Sequence, residues 1–69
     1  MIEVFKTNVQ EEDQSTLIIG KLLEHFPNSL ISFDLEDCDK ILRIHSSNIS
    51  NKKIIAILNS HGYLCEALL

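Results

Sequence analysis

"SLISFDLEDCDKILRIH", residues 29–45, contains two apolar runs that alternate with polar residues and are joined by a short polar link. The apolar positions of the first run are Ile31, Phe33 and Leu35. In the second run, Leu42 and Ile44 alternate with Arg43 and His45. A period of two residues is typical of a strand with one buried face. Two such strands, with a polar turn at residues 37–40 between them, predict a β-hairpin.

A helix is predicted on each side of this hairpin. Upstream, apolar residues recur at steps of three and four, which indicates one apolar helical face. These residues are Leu17, Ile18, Ile19, Leu22, Leu23 and Phe26. Pro27 ends this helix, because the residue before a proline avoids the α region. Downstream, Ser50 is a suitable N-cap for a second helix, and Gly62 is the usual left-handed residue just past a helix end.

The two outermost segments, residues 2–7 and 63–69, are predicted to be strands, because β-branched, aromatic and aliphatic residues dominate them. The order is then β-α-β-β-α-β over one domain, residues 1–69. With right-handed crossovers, the simplest arrangement of these six elements is a ferredoxin-like α+β fold. It has a four-stranded antiparallel sheet with both helices on one face. The other face is expected to hold polar side chains in water. They are Glu3, Ser32, Asp34, Glu36, Arg43, His45 and Glu66.

Composition and charge exclude several function classes. The formal net charge is −4 and the six basic residues are scattered, so no basic stripe indicates binding to nucleic acid or to an anionic membrane. The apolar runs are too short to span a bilayer, and the N-terminus does not resemble a signal peptide. Two cysteines are too few for a disulfide framework, which favours a cytoplasmic protein with free thiols. A domain cut from a longer chain is the alternative.

Two stretches carry a family resemblance: "ISFDLEDCDKILRI" at residues 31–44 and "SNKKIIAILNSHGYLCEAL" at residues 50–68. They resemble the heavy-metal-associated domain family, which includes small copper chaperones. The features in common are Phe33-Asp34-Leu35 before the polar turn and Gly62-Tyr63 after the second helix. The resemblance covers nearly the whole chain. It implies the same ferredoxin-like fold and, in the family, Cu(I) or another soft ion bound by Met-x-Cys-x-x-Cys in the first loop.

The segment that corresponds to that loop is "TNVQEEDQSTL", residues 7–17, and it contains no thiol. The family's two cysteine positions fall near Glu12 and Ser15. Cu(I) needs soft thiolate or thioether ligands, so no metal ligand is carried over from the family. The stretch instead offers two candidate capping boxes, Thr7 with Gln10 and Asn8 with Glu11. Its acidic side chains lie at the positive end of the helix dipole, which stabilises negative charge there. We favour this interpretation over a Ca²⁺ or Mg²⁺ site, because the loop has no glycine to form the sharp turn that such sites usually contain.

The remaining candidate residues give little support for catalysis. No nucleophile is spaced with a base and an orienting group in a recognisable pattern, and no cofactor motif is present. Cys38 in the hairpin turn and Cys65 in the last strand are weak metal candidates, with Cys65 expected to face the core. Gly20 lies in the middle of the first helix, where glycine is unfavourable, and we expect that it is there because it allows close packing.

The sequence therefore predicts a non-enzymatic interaction or regulatory module, a metallochaperone-like domain without its thiol pair and without a cofactor. A basic protein partner is expected to bind around the first loop. The residues expected to contact it are Asn8, Gln10, Glu11, Glu12, Asp13 and Ser15. The alternative is heavy-metal binding through non-standard ligands, Cys38 or Cys65. A third interpretation is a weak homodimer that pairs through an exposed sheet edge.

Overall fold

The computed structural model describes residues 1–68 and has six elements in the predicted order. They are β1 (Ile2–Thr7), α1 (Glu12–His25), β2 (Leu30–Asp34), β3 (Ile41–His45), α2 (Asn51–Ser60) and β4 (Cys65–Leu68). The strands form one antiparallel sheet in the order β2-β3-β1-β4. The ferredoxin-like α+β fold is thereby confirmed. Leu69, the end of the predicted last strand, lies outside the described residues.

The core lies between one face of the sheet and the two helices. Its fully buried side chains come from both layers and from the first loop. They are Phe5, Val9, Ile18, Leu22, Leu42, Ile44, Ile54 and Leu58. Leu17 and Leu23 of α1, expected on the buried face, are 53% and 37% exposed. The buried stripe of α1 is thus narrower than the sequence pattern indicated.

The expected orientation of β1 is wrong. Glu3 pairs with Ile44 and Phe5 with Leu42, and directly paired residues point to the same face of a sheet. Glu3 therefore lies on the helix side, where its Oε1 accepts a hydrogen bond of 3.0 Å from the side-chain amide of Asn51. Ile2 and Val4 lie on the open face instead. The large ring of Phe5 takes the core position because it buries more apolar surface there than either aliphatic residue would.

The end of α2 explains why β4 begins later than predicted. The N–H of Tyr63 donates to the carbonyl of Leu58 (3.0 Å), and the N–H of Gly62 donates to that of Asn59 (3.0 Å). These two bonds form a Schellman motif, which requires a left-handed residue after the helix. Gly62 supplies it with φ of +88°, as the sequence predicted. Because this motif uses the backbone up to Tyr63, strand pairing starts only at Cys65.

Alanine at the two glycines should shift stability in opposite directions. Gly62→Ala should lower the free energy of unfolding by about 1 kcal/mol, because a Cβ disfavours the left-handed conformation. Gly20→Ala should raise it by up to about 1 kcal/mol through helix propensity. Gly20 is exposed and a Cβ there would meet no atom within 4 Å, so the expected close-packing role is wrong. Urea midpoints measure both shifts, and a destabilised Gly20→Ala would contradict this account.

Candidate functional site

The loop between β1 and α1 is anchored at its start by Thr7. The Thr7 hydroxyl donates to the carbonyl of Lys40 at 2.6 Å and accepts from the N–H of Val9 at 3.2 Å. The Thr7 N–H donates to the carbonyl of Asp39 at 3.1 Å. The Val9 side chain is fully buried in the core. The beginning of this loop is therefore fixed to the β2–β3 turn on one side and to the core on the other.

Asn8 connects the same loop to the segment before β4. Its Oδ1 accepts a hydrogen bond of 2.8 Å from the N–H of Leu64, 56 positions along the chain. Thr7 and Asn8 are thus engaged with distant backbone, and neither predicted capping box forms. The helix begins at Glu12 with Glu11 as N-cap, and the Gln14 side-chain carbonyl accepts from the N–H of Glu11 at 3.1 Å. The spacing of Glu11 and Gln14 was the sequence signal for this cap.

The β2–β3 turn is closed by its own polar groups. The N–H of Asp39 donates to Asp37 Oδ1 (2.8 Å), and the N–H of Lys40 donates to the carbonyl of Asp37 (3.0 Å). Lys40 takes a left-handed conformation with φ of +47°, and its ammonium group donates to the carbonyl of Leu35 (2.8 Å). The Lys6 ammonium lies 3.6 Å from a carboxylate oxygen of Asp39. Both lysines at this end of the molecule are therefore engaged.

These contacts bring two acidic segments to one end of the molecule, which we call the acidic end. It consists of Glu11, Glu12, Asp13, Glu36, Asp37 and Asp39. Asp39 is half-buried and the other five are exposed. Glu12 and Leu35 line the same surface hollow, so the start of α1 lies beside the end of β2. Sequence reasoning missed the acids of the turn, although antiparallel pairing of β1 with β3 already places that turn beside the first loop.

The predicted partner-binding residues divide into two groups. Asn8, Gln10, Glu11, Glu12 and Asp13 are exposed at the acidic end. Ser15 is only 5% exposed, and its hydroxyl donates to the carbonyl of Glu12 at 2.7 Å. Ser15 thus supports the first turn of α1 from the inside and presents little surface to a partner.

The two cysteines are free and lie in different environments. Cys38 is exposed in the turn, where its sulfur and one carboxylate oxygen each of Asp37 and Asp39 all lie within 4.8 Å of one another. Cys65 is half-buried on β4, opposite Thr7, and packs against the core. Burial raises the pKa of the Cys65 thiol to about 11. Within residues 1–68, the turn is the one cluster of three side chains with metal-ligating atoms, and it does not include Cys65.

Alkylation should distinguish the two thiols. At about pH 8, a thiol with the raised pKa of Cys65 is about one-thousandth thiolate, and the thiolate is the reacting form. Iodoacetamide should therefore modify Cys38 first and Cys65 at least roughly tenfold more slowly, because Cys65 is also sterically covered. Intact-mass spectrometry follows both rates. Cys38→Ser is the matched control, which should show only the slow reaction until the chain is unfolded, and equal rates in the native wild type would contradict this assignment.

Comparison with known proteins found no match to this chain among family models, curated proteins or solved structures. The resemblance to heavy-metal-associated domains therefore depends on the residue patterns at 31–44 and 50–68 alone. Among residues 1–68, no helix has the length and apolar character needed to cross a bilayer.

Proposed function

We propose that this chain is a non-enzymatic interaction module that binds a basic surface of a protein partner through its acidic end. The observation that carries the proposal is the concentration of charge. Six of the ten carboxylates of the chain lie at this end, on two segments far apart in the sequence. The lysines beside them, Lys6 and Lys40, are engaged with Asp39 and the Leu35 carbonyl. The resulting negative potential favours approach of a positively charged partner.

The rigidity of the acidic end supports the same function. Thr7 bonds the first loop to the β2–β3 turn, and Asn8 bonds it to the segment before β4. A surface whose loops are already held in place loses less conformational entropy when a partner binds. The resemblance to heavy-metal-associated domains supports the first loop as part of this surface, because partners of such a domain are expected around residues 8–15 and at the neighbouring loop before β4.

Charge reversal tests the proposal. The triple variant Glu11→Lys, Glu12→Lys, Asp13→Lys and the wild type are immobilised as full chains and used to capture proteins from lysate of the host cell. Quantitative mass spectrometry should show that the triple variant captures at least roughly tenfold less of each partner. The reason is that its lysines repel a positively charged partner, whereas the wild-type acids attract it. Raising the salt concentration should weaken wild-type capture in the same direction.

Glu24→Lys provides the matched control, since Glu24 is an exposed acid near the other end of the same helix. It should retain capture, and circular dichroism should show that all variants remain folded. Capture that is unchanged in the triple variant would overturn the proposal.

The second candidate function is metal binding at the turn, favoured by the closeness of the Cys38 sulfur to two carboxylates. A mixed sulfur and oxygen set suits Zn²⁺ better than Cu(I). The turn hydrogen bond from the Asp39 N–H to Asp37 already accounts for part of this geometry. Calorimetric titration of Zn²⁺ and of Cu(I) into reduced protein tests the idea, with Cys38→Ser as control. Stoichiometric binding tighter than micromolar that is lost in Cys38→Ser would reverse our ranking.

A further inference from the structure

β2 is an edge strand of the sheet, with β3 on one side and no strand among residues 1–68 on the other. Alternate backbone N–H and C=O groups of an edge strand point outward and can pair with another extended chain. The loops and the N-terminal part of α1 described above are occupied with their own contacts. The free edge of β2 is therefore a part of the backbone available for pairing.

Apolar side chains lie beside this free edge. A surface hollow of about 420 Å³ separates β2 from α1, and its apolar lining is half-buried. That lining consists of Ile19, Ile31, Phe33 and Leu35. Leu23, four residues after Ile19 and 37% exposed, extends the strip along the same side of α1. A strand that paired with β2 would bring its own side chains over this apolar strip.

We propose that a second copy of this chain covers the edge, with β2 antiparallel to its own copy and Ser32 at the twofold axis. The five residues Leu30–Asp34 are then all paired in a continuous eight-stranded sheet. Ile31 lies opposite Phe33 of the second copy, an aromatic and β-branched pair of the kind that stabilises neighbouring strands. The twofold axis also places the two α1 helices on the same side of the sheet, where Ile19 and Leu23 of each copy can meet.

The charges on and around β2 are compatible with a second copy at this edge. Asp34 is the one charged residue of β2, and the antiparallel register places it opposite Leu30 of the second copy. The two acidic ends then point in opposite directions, which limits repulsion between chains of net charge −4. Dimerisation through β2 is a separate proposal from the proposed function, because no residue of the acidic end belongs to β2.

Sedimentation equilibrium over a range of roughly 5–500 µM tests this dimer. The wild type should show a concentration-dependent dimer. Ser32→Lys should weaken its association at least roughly tenfold, because two ammonium groups meet at the axis. Ser32 is exposed on the open face, so the monomer fold should be retained. Ser47→Lys, the same change in an exposed loop, is the matched control and should dimerise normally.

Disulfide trapping tests the register in the full chain. In a Cys38→Ser background, Ser32→Cys should form an intermolecular disulfide under mild oxidation, since directly opposed residues lie within disulfide range. Ser47→Cys should not. A wild type that is monomeric throughout, which would leave the edge to a strand from another protein, overturns the proposal. A dimer that persists in Ser32→Lys, or a cross-link that forms equally at position 47, also overturns it.

Discussion

Replacing Phe5 by alanine is expected to remove a large part of the stability of the fold. The Phe5 side chain is fully buried at the centre of the sheet, opposite Leu42. Removing a buried aromatic ring costs about 3–5 kcal/mol. A domain of 69 residues has only about 3–10 kcal/mol of stability in total. Urea titration followed by circular dichroism should show the unfolding transition shifted to a much lower urea concentration than in the wild type.

Ile2→Ala is the matched control on the same strand. Ile2 is 57% exposed on the open face, so its truncation should cost less than about 1 kcal/mol. Phe5→Leu, which should cost about 1 kcal/mol, keeps the comparison measurable if Phe5→Ala does not fold. A larger loss for Ile2→Ala than for Phe5→Leu would contradict the register of β1.

This comparison concerns the one strand whose orientation the sequence could not predict. In the hairpin, Ile31 and Phe33 occupy alternate positions with polar residues between them, and the pattern therefore determines which face is buried. In β1, the aliphatic residues Ile2 and Val4 point to one face of the sheet, and the aromatic Phe5 points to the other. Both faces of the strand thus carry apolar residues, and binary patterning alone cannot choose between them. The choice depends on how much volume the core between the helices must fill.

The acidic end was predicted only in part, for a similar reason. The local sequence correctly predicted exposed acids at the start of α1, because helix dipole and solvation act over a few residues. It failed at Thr7 and Asn8, whose side chains satisfy local capping patterns but bond to residues 33 and 56 positions away. Such bonds depend on which loops the fold brings together. Once the strand order is known, the β2–β3 turn can be placed beside them, so this part of the site follows from topology.

Thr7→Val should therefore loosen the acidic end as well as destabilise the fold. Valine has nearly the shape of threonine, but it leaves the Lys40 carbonyl and the Val9 N–H without their partner. Thr7 is only 6% exposed, so water can replace these bonds poorly. Each buried polar group left unpaired costs about 1–3 kcal/mol, which gives an expected loss of about 2 kcal/mol or more. Urea titration measures this loss in the free energy of unfolding.

Thr16→Val is the matched control, because the Thr16 hydroxyl also donates to a carbonyl, that of Glu12 at 3.0 Å, but is exposed. Water can replace that bond, so the change should stay within about 0.5 kcal/mol. Hydrogen exchange adds a local measurement: in Thr7→Val, the Val9 amide should exchange faster relative to that of Leu42, because the loop opens without global unfolding. Equal stability of the two variants, together with unchanged exchange at Val9, would show that Thr7 does not hold the loop to the turn. The rigid acidic end would then lose its structural basis, and partner binding there would have to overcome the entropy of ordering the loop.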